Sequence, residues 1–303
     1  MTTRQHPKAR ETEQERRVRE YEARRNQIAH RLTRGTIAVI SGEIARYSLF
    51  GVSLIHMLGY SGQYISHFDW LIGSNITGNC NDACRRMEGD WIWLIGDDHA
   101  FPATIVEQLL MREVDVVAPL CVQRSAPFPH VVYSGEVEDP AEEGTHILHT
   151  DLPRTGLHEV YAVGGAGLLV KRRVLDAIAE NSTRTCKACR GDGKNHRDIE
   201  GHWHDEPVKD DPCGVCDGFG REKVWFETFG KQNEDLEFCR KIREAGFKIH
   251  VDCDAPLGHI GNLIAWPQWL DEEYGWGARL SLGNDVEVPL RRVIGSAGAV
   301  TPA

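Results

Sequence analysis

No stretch of this chain approaches the roughly 20 consecutive apolar residues that span a bilayer, so no membrane-crossing helix is expected. The opening residues are charged throughout and lack the apolar core of a secretory leader, which leads us to expect a cytoplasmic protein. A basic surplus is missing as well: 35 Lys and Arg stand against 45 Asp and Glu, a net charge of −10. An acidic body is poorly suited to displacing counterions from a phosphate backbone, so nucleic acid is not an expected partner. Two glycine signatures are also absent. The turn Ser41-Gly42-Glu43-Ile44 lacks the Gly-rich, basic character of a nucleotidyltransferase loop. Gly164, Gly165 and Gly167 do not have the spacing or position of a dinucleotide fingerprint.

Positive charge gathers at one end. Residues 1–34 hold ten Lys or Arg against five Glu, and Val18, Tyr21, Ile28 and Leu32 recur at helical spacing. We read a charged helical arm that docks in part on the body or on a second copy, with contact to nucleic acid or an anionic membrane as the alternative. From 35 to 120 strand and helix patterns alternate: 35–40, 48–58, 69–72, 79–87, 91–95, 102–110 and 114–120. That alternation predicts an α/β fold, a Rossmann-like, mainly parallel sheet flanked by helices. Residues 122–158 read as a long loop or hairpin excursion, Glu234–Ala245 as a helix stopped by Gly246, and 248–252 as a further strand.

The run Trp91-Ile92-Trp93-Leu94-Ile95 reads as a strand buried on both faces, and it ends in Gly96-Asp97-Asp98-His99. Carboxylates just past the carboxyl end of such a strand occupy the place where open α/β sheets bind ligands. Hard oxygen donors there suit Mg²⁺ or Mn²⁺ holding a diphosphate, although an Asp pair can also cap a helix.

Four of the nine cysteines are organised. Cys186-Lys-Ala-Cys189-Arg-Gly191-Asp-Gly193 and Cys213-Gly-Val-Cys216-Asp-Gly218-Phe-Gly220 repeat one pattern, Cys-x-x-Cys-x-Gly-x-Gly. Two such pairs supply four thiolates to one tetrahedral ion, predicting a structural Zn²⁺ in an insert over 181–224; His196, His202 and His204 in its loop are read as surface residues, with competition for the ion as the alternative. The motif resembles the cysteine-rich repeats of DnaJ-type chaperones, over this segment only. The other cysteines, Cys121 among them, read as small buried hydrophobes.

Over residues 35–262 the order of motifs resembles the GT-A fold, family 2-like glycosyltransferases. The residues that carry the resemblance are the Asp98 region with Phe101-Pro102, Gly164-Gly165-Ala-Gly167-Leu-Leu-Val-Lys171 and Trp225-Phe226. Beyond these come Glu234-Asp235-Leu-Glu-Phe through Gly246, and Gly258-His259. The zinc insert interrupts this domain, and 263–303 form a C-terminal extension. The resemblance implies a transfer of sugar from a nucleotide-sugar donor to the hydroxyl of an unknown acceptor, with Mn²⁺ or Mg²⁺. It assigns Asp98 and His259 to the metal, Asp97 to metal or donor, and Asp235, beside Glu234, to the general base of an inverting enzyme. The family's Asp-x-Asp element falls on Gly96-Asp97-Asp98, so its first acid is a glycine.

Those residue types suit the chemistry. A divalent ion stabilises the departing diphosphate, and a positioned carboxylate takes the acceptor proton. At a helix start, Asp235 is expected to have its anion favoured by the dipole. Donor contacts are expected from Ser41, Glu43 and Asn81, and Trp225, Trp266 and Trp269 are candidates either to stack on sugar rings or to lie buried in the core. Two other readings stay open: a nucleotidyltransferase, and a zinc-organised binding module on a silent scaffold.

Overall fold

The computed structural model describes residues 13–42, 47–73, 75–136, 146–196, 204–207, 209–228, 233–261, 264–272, 275–281 and 287–290. Helix α1 (Glu13–Ile28) lies ahead of the first strand, β1 (Gly35–Ser41). Next come α2 (Ser48–Ser61), β2 (Ile65–Ile72), α3 (Ile76–Arg86) and β3 (Trp91–Gly96). The chain then makes a short β4 (His99–Ala100), α4 (Ile105–Leu110) and β5 (Val116–Cys121). The excursion that follows holds β6 (Val132–Glu136), β7 (His146–Leu148), β8 (Leu157–Val160) and β9 (Ala162–Val163). It returns through β10 (Leu168–Lys171) and α5 (Arg172–Asn181). The insert contributes β11 (Thr183–Thr185), β12 (Lys194–Asn195), β13 (Lys209–Pro212) and β14 (Arg221–Lys223). Last are α6 (Glu234–Glu244), β15 (Ile249–Ile260), β16 (Ile264–Asp271), β17 (Gly275–Ser281) and β18 (Glu287–Leu290).

The main sheet runs β18-β17-β16-β15-β5-β10-β3-β1-β2. In its centre β2, β1, β3, β5 and the first half of β15 point one way, and β10 runs against them between β3 and β5. This is a mainly parallel α/β sheet. Both faces are covered, which is why β1 and β3 are apolar without alternation. Alternate residues serve opposite layers. Ile37, Val39, Trp93 and Ile95 pack with Phe50 and Leu54 of α2 and Ile105 and Leu109 of α4. Ala38, Ile40, Ile92 and Leu94 pack with Cys84 of α3, Leu175 of α5 and Phe238 of α6.

Element ends follow local chemistry. The Asn75 side chain accepts from the Gly78 N–H at 2.9 Å and starts α3, while Gly246 at φ +84° closes α6. The segment after 263 differs from the expected appendage: β16, β17 and β18 pair antiparallel and extend the same sheet. The Gly/Ala/Pro end over 291–303 lies outside the described residues. Among the described residues no helix is long and apolar enough to cross a membrane.

The arm meets the body through polar groups as well as apolar ones. Ile28 is buried, whereas Val18 stays exposed. Tyr21 and Arg25 reach the fully buried Glu107 of α4, at 3.1 and 2.8 Å.

Candidate active site

Parallel strands bring distant residues to one edge. Ser41 ends β1, Asp97 and Asp98 follow β3, Cys121 ends β5, Gly165 precedes β10, and His259 lies near the end of β15. Strands β3 and β15 are separated by β10 and β5, so Asp98 and His259 meet only because β4 leaves β3 and pairs with β15, His99 opposite His259. Asp98 Oδ2 is then 3.1 Å from His259 Nε2, and Asp98 Oδ1 is 3.0 Å from His99 Nδ1. The two imidazoles stack with centroids 4.7 Å apart. Burial alone would raise the Asp98 carboxyl, but hydrogen bonds from His259 and His99 outweigh it and hold it well below the usual range. Arg124 adds a contact of 3.2 Å to Asp98 Oδ2 from solvent.

The tautomers follow from the partners. A carbonyl oxygen can only accept, so His259 Nδ1, 3.0 Å from the Val122 carbonyl, carries a proton. His99 Nδ1 likewise faces the Gly96 carbonyl, at 3.2 Å. In the neutral imidazole the lone pair is then on Nε2, the form in which histidine ligates metals. His259 Nε2 and Asp98 Oδ2 would be two acceptors 3.1 Å apart, which requires a cation between or beside them, either a proton or a metal. Adjacent ligands each about 2.1 Å from one ion stand about 3.0–3.4 Å apart, so the pair fits a divalent metal.

Gly96, where the family's first acid would stand, is explained by space. A Cβ there would lie 2.9 Å from Asp98 Oδ1 and 3.2 Å from His99 Nδ1. An acid at 96 would push into the pair that meets His259. The residue that sequence reading left unassigned is His99. Its signal was adjacency to the acids, but its role depends on the β4–β15 pairing, which spacing cannot reveal.

On the same edge, Asp235 sits in the first turn of α6, bonded through Oδ2 to the Gly165 N–H at 2.9 Å and through Oδ1 to the Leu236 N–H at 2.8 Å. The N–H groups of the helix start do favour its anion, but they are outweighed. Burial raises the Asp235 pKa, the neighbouring Glu234 charge adds to the rise, and the backbone N–H groups offset it only in part. Glu234 is half-buried beside it. Asp97 accepts from the buried Ser41 Oγ at 2.7 Å, and Trp70 Nε1 donates to that oxygen at 2.8 Å, which ties the ends of β1 and β3 together.

Other expected contacts are displaced. Asn81 is buried, its Nδ2 donating to the Thr77 and Phe226 carbonyls and its Oδ1 accepting from the Trp225 and Phe226 N–H groups. Its amide clamps 225–226 onto α3 and is not presented to a donor. Trp225 is core, with Nε1 on the Leu175 carbonyl, so it does not stack on a sugar. Trp266 packs over Gly258 and bonds Ser281, and Trp269 meets Trp276 edge-on at 5.6 Å. Glu43 lies outside the described residues.

The four insert cysteines are buried and within 4.8 Å of one another. Cys186 and Cys213 sulfurs are 3.9 Å apart, and Cys189 and Cys216 sulfurs 3.6 Å. Zn–S bonds of about 2.3 Å in a tetrahedron put sulfurs about 3.8 Å apart, so the cluster could bind zinc. The sequence repeat is also a structural one. Gly193 N–H donates to Cys189 Sγ and Gly220 N–H to Cys216 Sγ, while Arg190 and Asp217 take matching positive φ angles. His196 is not a ligand here: its Nε2 meets Asp192 and its Nδ1 the His204 carbonyl. His204 is exposed, and His202 lies outside the described residues.

No protein-family profile matches the chain, and no curated protein matches it significantly. Solved structures give weaker likenesses. A197 from STIV aligns at 13% identity over 84% of this chain and 97% of its own, with a TM-score of 0.42. GalNAc-T7 with UDP, GalNAc and Mn²⁺ aligns at 12% identity over 76% of this chain and 44% of its own, with a TM-score of 0.43. A chain assigned as a glucose-1-phosphate thymidylyltransferase from Bacillus anthracis aligns at 13% over 52% and 77%, with a TM-score of 0.29. These values are too low to carry a functional argument, which rests on the site itself.

Proposed function

We propose that this chain is a metal-dependent glycosyltransferase that moves a sugar from a nucleotide-activated donor to an acceptor hydroxyl with inversion. The observation that carries the reading is the meeting of Asp98 and His259 at 3.1 Å on a sheet edge shared with Asp235. The bound divalent ion supplies positive charge against the departing diphosphate. Asp98, His259 and His99 would hold it, and Asp97, fixed by the buried Ser41, would face the donor from the end of β3. Asp235 takes the acceptor proton as the hydroxyl attacks the anomeric carbon. Its raised pKa suits that role, because a base nearer neutrality is both deprotonated in use and able to hold the proton it receives. Gly165 N–H keeps the receiving carboxylate oriented.

The four-cysteine cluster has no open position and is read as a structural Zn²⁺ site that stiffens the insert. Purified protein incubated with a panel of nucleotide sugars and divalent ions, with candidate acceptors, tests the transfer directly. The expected result is nucleoside diphosphate release that Asp98→Ala and Asp235→Asn abolish without unfolding the protein. Release from no donor, or release that survives Asp98→Ala, overturns the reading. Elemental analysis checks the zinc, with one ion per chain expected.

A further inference from the structure

The carboxylates of the sequence suggested a hard, oxygen-lined metal site, yet the groups that cluster beside Asp98 offer nitrogen and sulfur. Beside Asp98 stand two imidazoles and a thiol. One ligand atom each from His99, Cys121 and His259 lies within 4.8 Å of the others. Cys121 is the last residue of β5, and its neighbour Val122 fixes the tautomer of His259. The second observation is an orphan: His99 is 5% exposed, and its Nε2 is buried with no hydrogen-bond partner among the described residues. A buried imidazole nitrogen without a partner loses its water and gains nothing in return, unless it binds something the protein alone does not provide.

We infer that Cys121 is a metal ligand together with His99 and His259, beside Asp98, and that this site takes a borderline-soft ion of the Zn²⁺ or Co²⁺ type in preference to Mn²⁺ or Mg²⁺. The inference rests on the metal-dependent reading above and names its ion. Two imidazoles and one thiolate form a donor set that Mg²⁺ and Mn²⁺ rarely accept and that zinc favours. On coordination the thiol gives its proton to solvent as the sulfur–metal bond forms, with no change of oxidation state. Such an ion remains a Lewis acid, so the proposed transfer keeps its electrostatic requirement.

The test uses the full chain with Zn²⁺ filling the four-cysteine cluster, to which one equivalent of Co²⁺ is added. X-ray absorption at the cobalt edge is expected to find one sulfur at about 2.3 Å among nitrogen and oxygen donors. A sulfur-to-cobalt charge-transfer band should appear with it, and Cys121→Ser should remove both and lower the preference for Co²⁺ over Mn²⁺. Cobalt bound by nitrogen and oxygen alone, or a Co²⁺/Mn²⁺ preference unchanged in Cys121→Ser, overturns the inference and leaves the metal-dependent transfer standing. Failure to bind any second ion, with or without a nucleoside diphosphate, overturns both. If the serine variant does not fold, the absorption spectrum of the unaltered protein decides alone.

Discussion

Asp235 is pulled in two directions by its surroundings. Two backbone N–H groups favour the carboxylate, while burial and Glu234 favour the acid, and the acid side wins. The sign of the consequence is definite. A base with a raised pKa is protonated at mildly acidic pH, so turnover should rise with pH through a value above the ordinary carboxylate pKa of about 3.9. The acid limb of the kcat/KM profile measures it. Replacing Glu234 with Gln should move that limb down by removing the neighbouring charge, and an unmoved limb would assign it to another group. Arg124 offers a second measurement. Its guanidinium meets the Asp98 oxygen that also meets His259, so it competes with a metal for that carboxylate. More than half of its side chain is exposed, and exposed pairs are worth under about 1 kcal/mol. Arg124→Ala should therefore tighten divalent-metal binding by no more than about fivefold, with the gain shrinking as salt rises. Calorimetric titration of the metal reads this directly.

At the scale of elements, the decisive piece is β4, only two residues long. Without it the β3 acids would stand two strands away from β15. The arm is the other element whose role depends on a partner. Helix α1 is strongly polar and is held by Glu107, which accepts from Tyr21, Arg25 and Tyr64. Removing a partner from a buried ion pair destabilises by roughly 3–5 kcal/mol, and here the lower end applies because Arg25 keeps about a third of its side chain in water. Glu107→Ala should lower stability by about 3 kcal/mol in denaturant titration and open 13–28 to limited proteolysis. Uncut α1 in a destabilised variant would mean that Ile28 and its apolar neighbours hold the helix.

For the whole molecule, the insert and the sheet are distinct in what holds them. The insert has four buried cysteines and little other core, whereas the sheet has two extensive apolar layers. Metal binding to such a cluster is itself folding free energy, on the order of 10 kcal/mol or more in small zinc domains. Cys213→Ser should release the ion and raise hydrogen exchange across 183–223, while strands β1 and β3 stay protected. The legs of the insert pair as β11 and β14, and the buried Lys241 of α6 donates to Ser182 and to the Val224 carbonyl beside them. Some loosening should therefore reach the start of α6 and Asp235, and loss of protection in β1 would show that the insert also supports the sheet.

Much of this architecture was legible because it is written in local chemistry. A continuous apolar run ending in acids marked β3, the alternation of patterns marked β1, the stop at Gly246 marked α6, and the repeated Cys-x-x-Cys-x-Gly-x-Gly marked the insert. These signals depend on neighbours a few residues apart, which any single sequence carries. Asn81 misled because an amide looks the same from the sequence whether it faces a ligand or clamps a core, and for Trp225 the sequence left sugar stacking and core burial both open. The extension of the sheet by β16 to β18 and the bond of Asp98 to His259 were settled by pairing across long stretches of chain. So were the orphaned nitrogen of His99 and the approach of Cys121. Packing and strand order alone decide which distant side chains share a point in space, and a reactive centre is made of such coincidences.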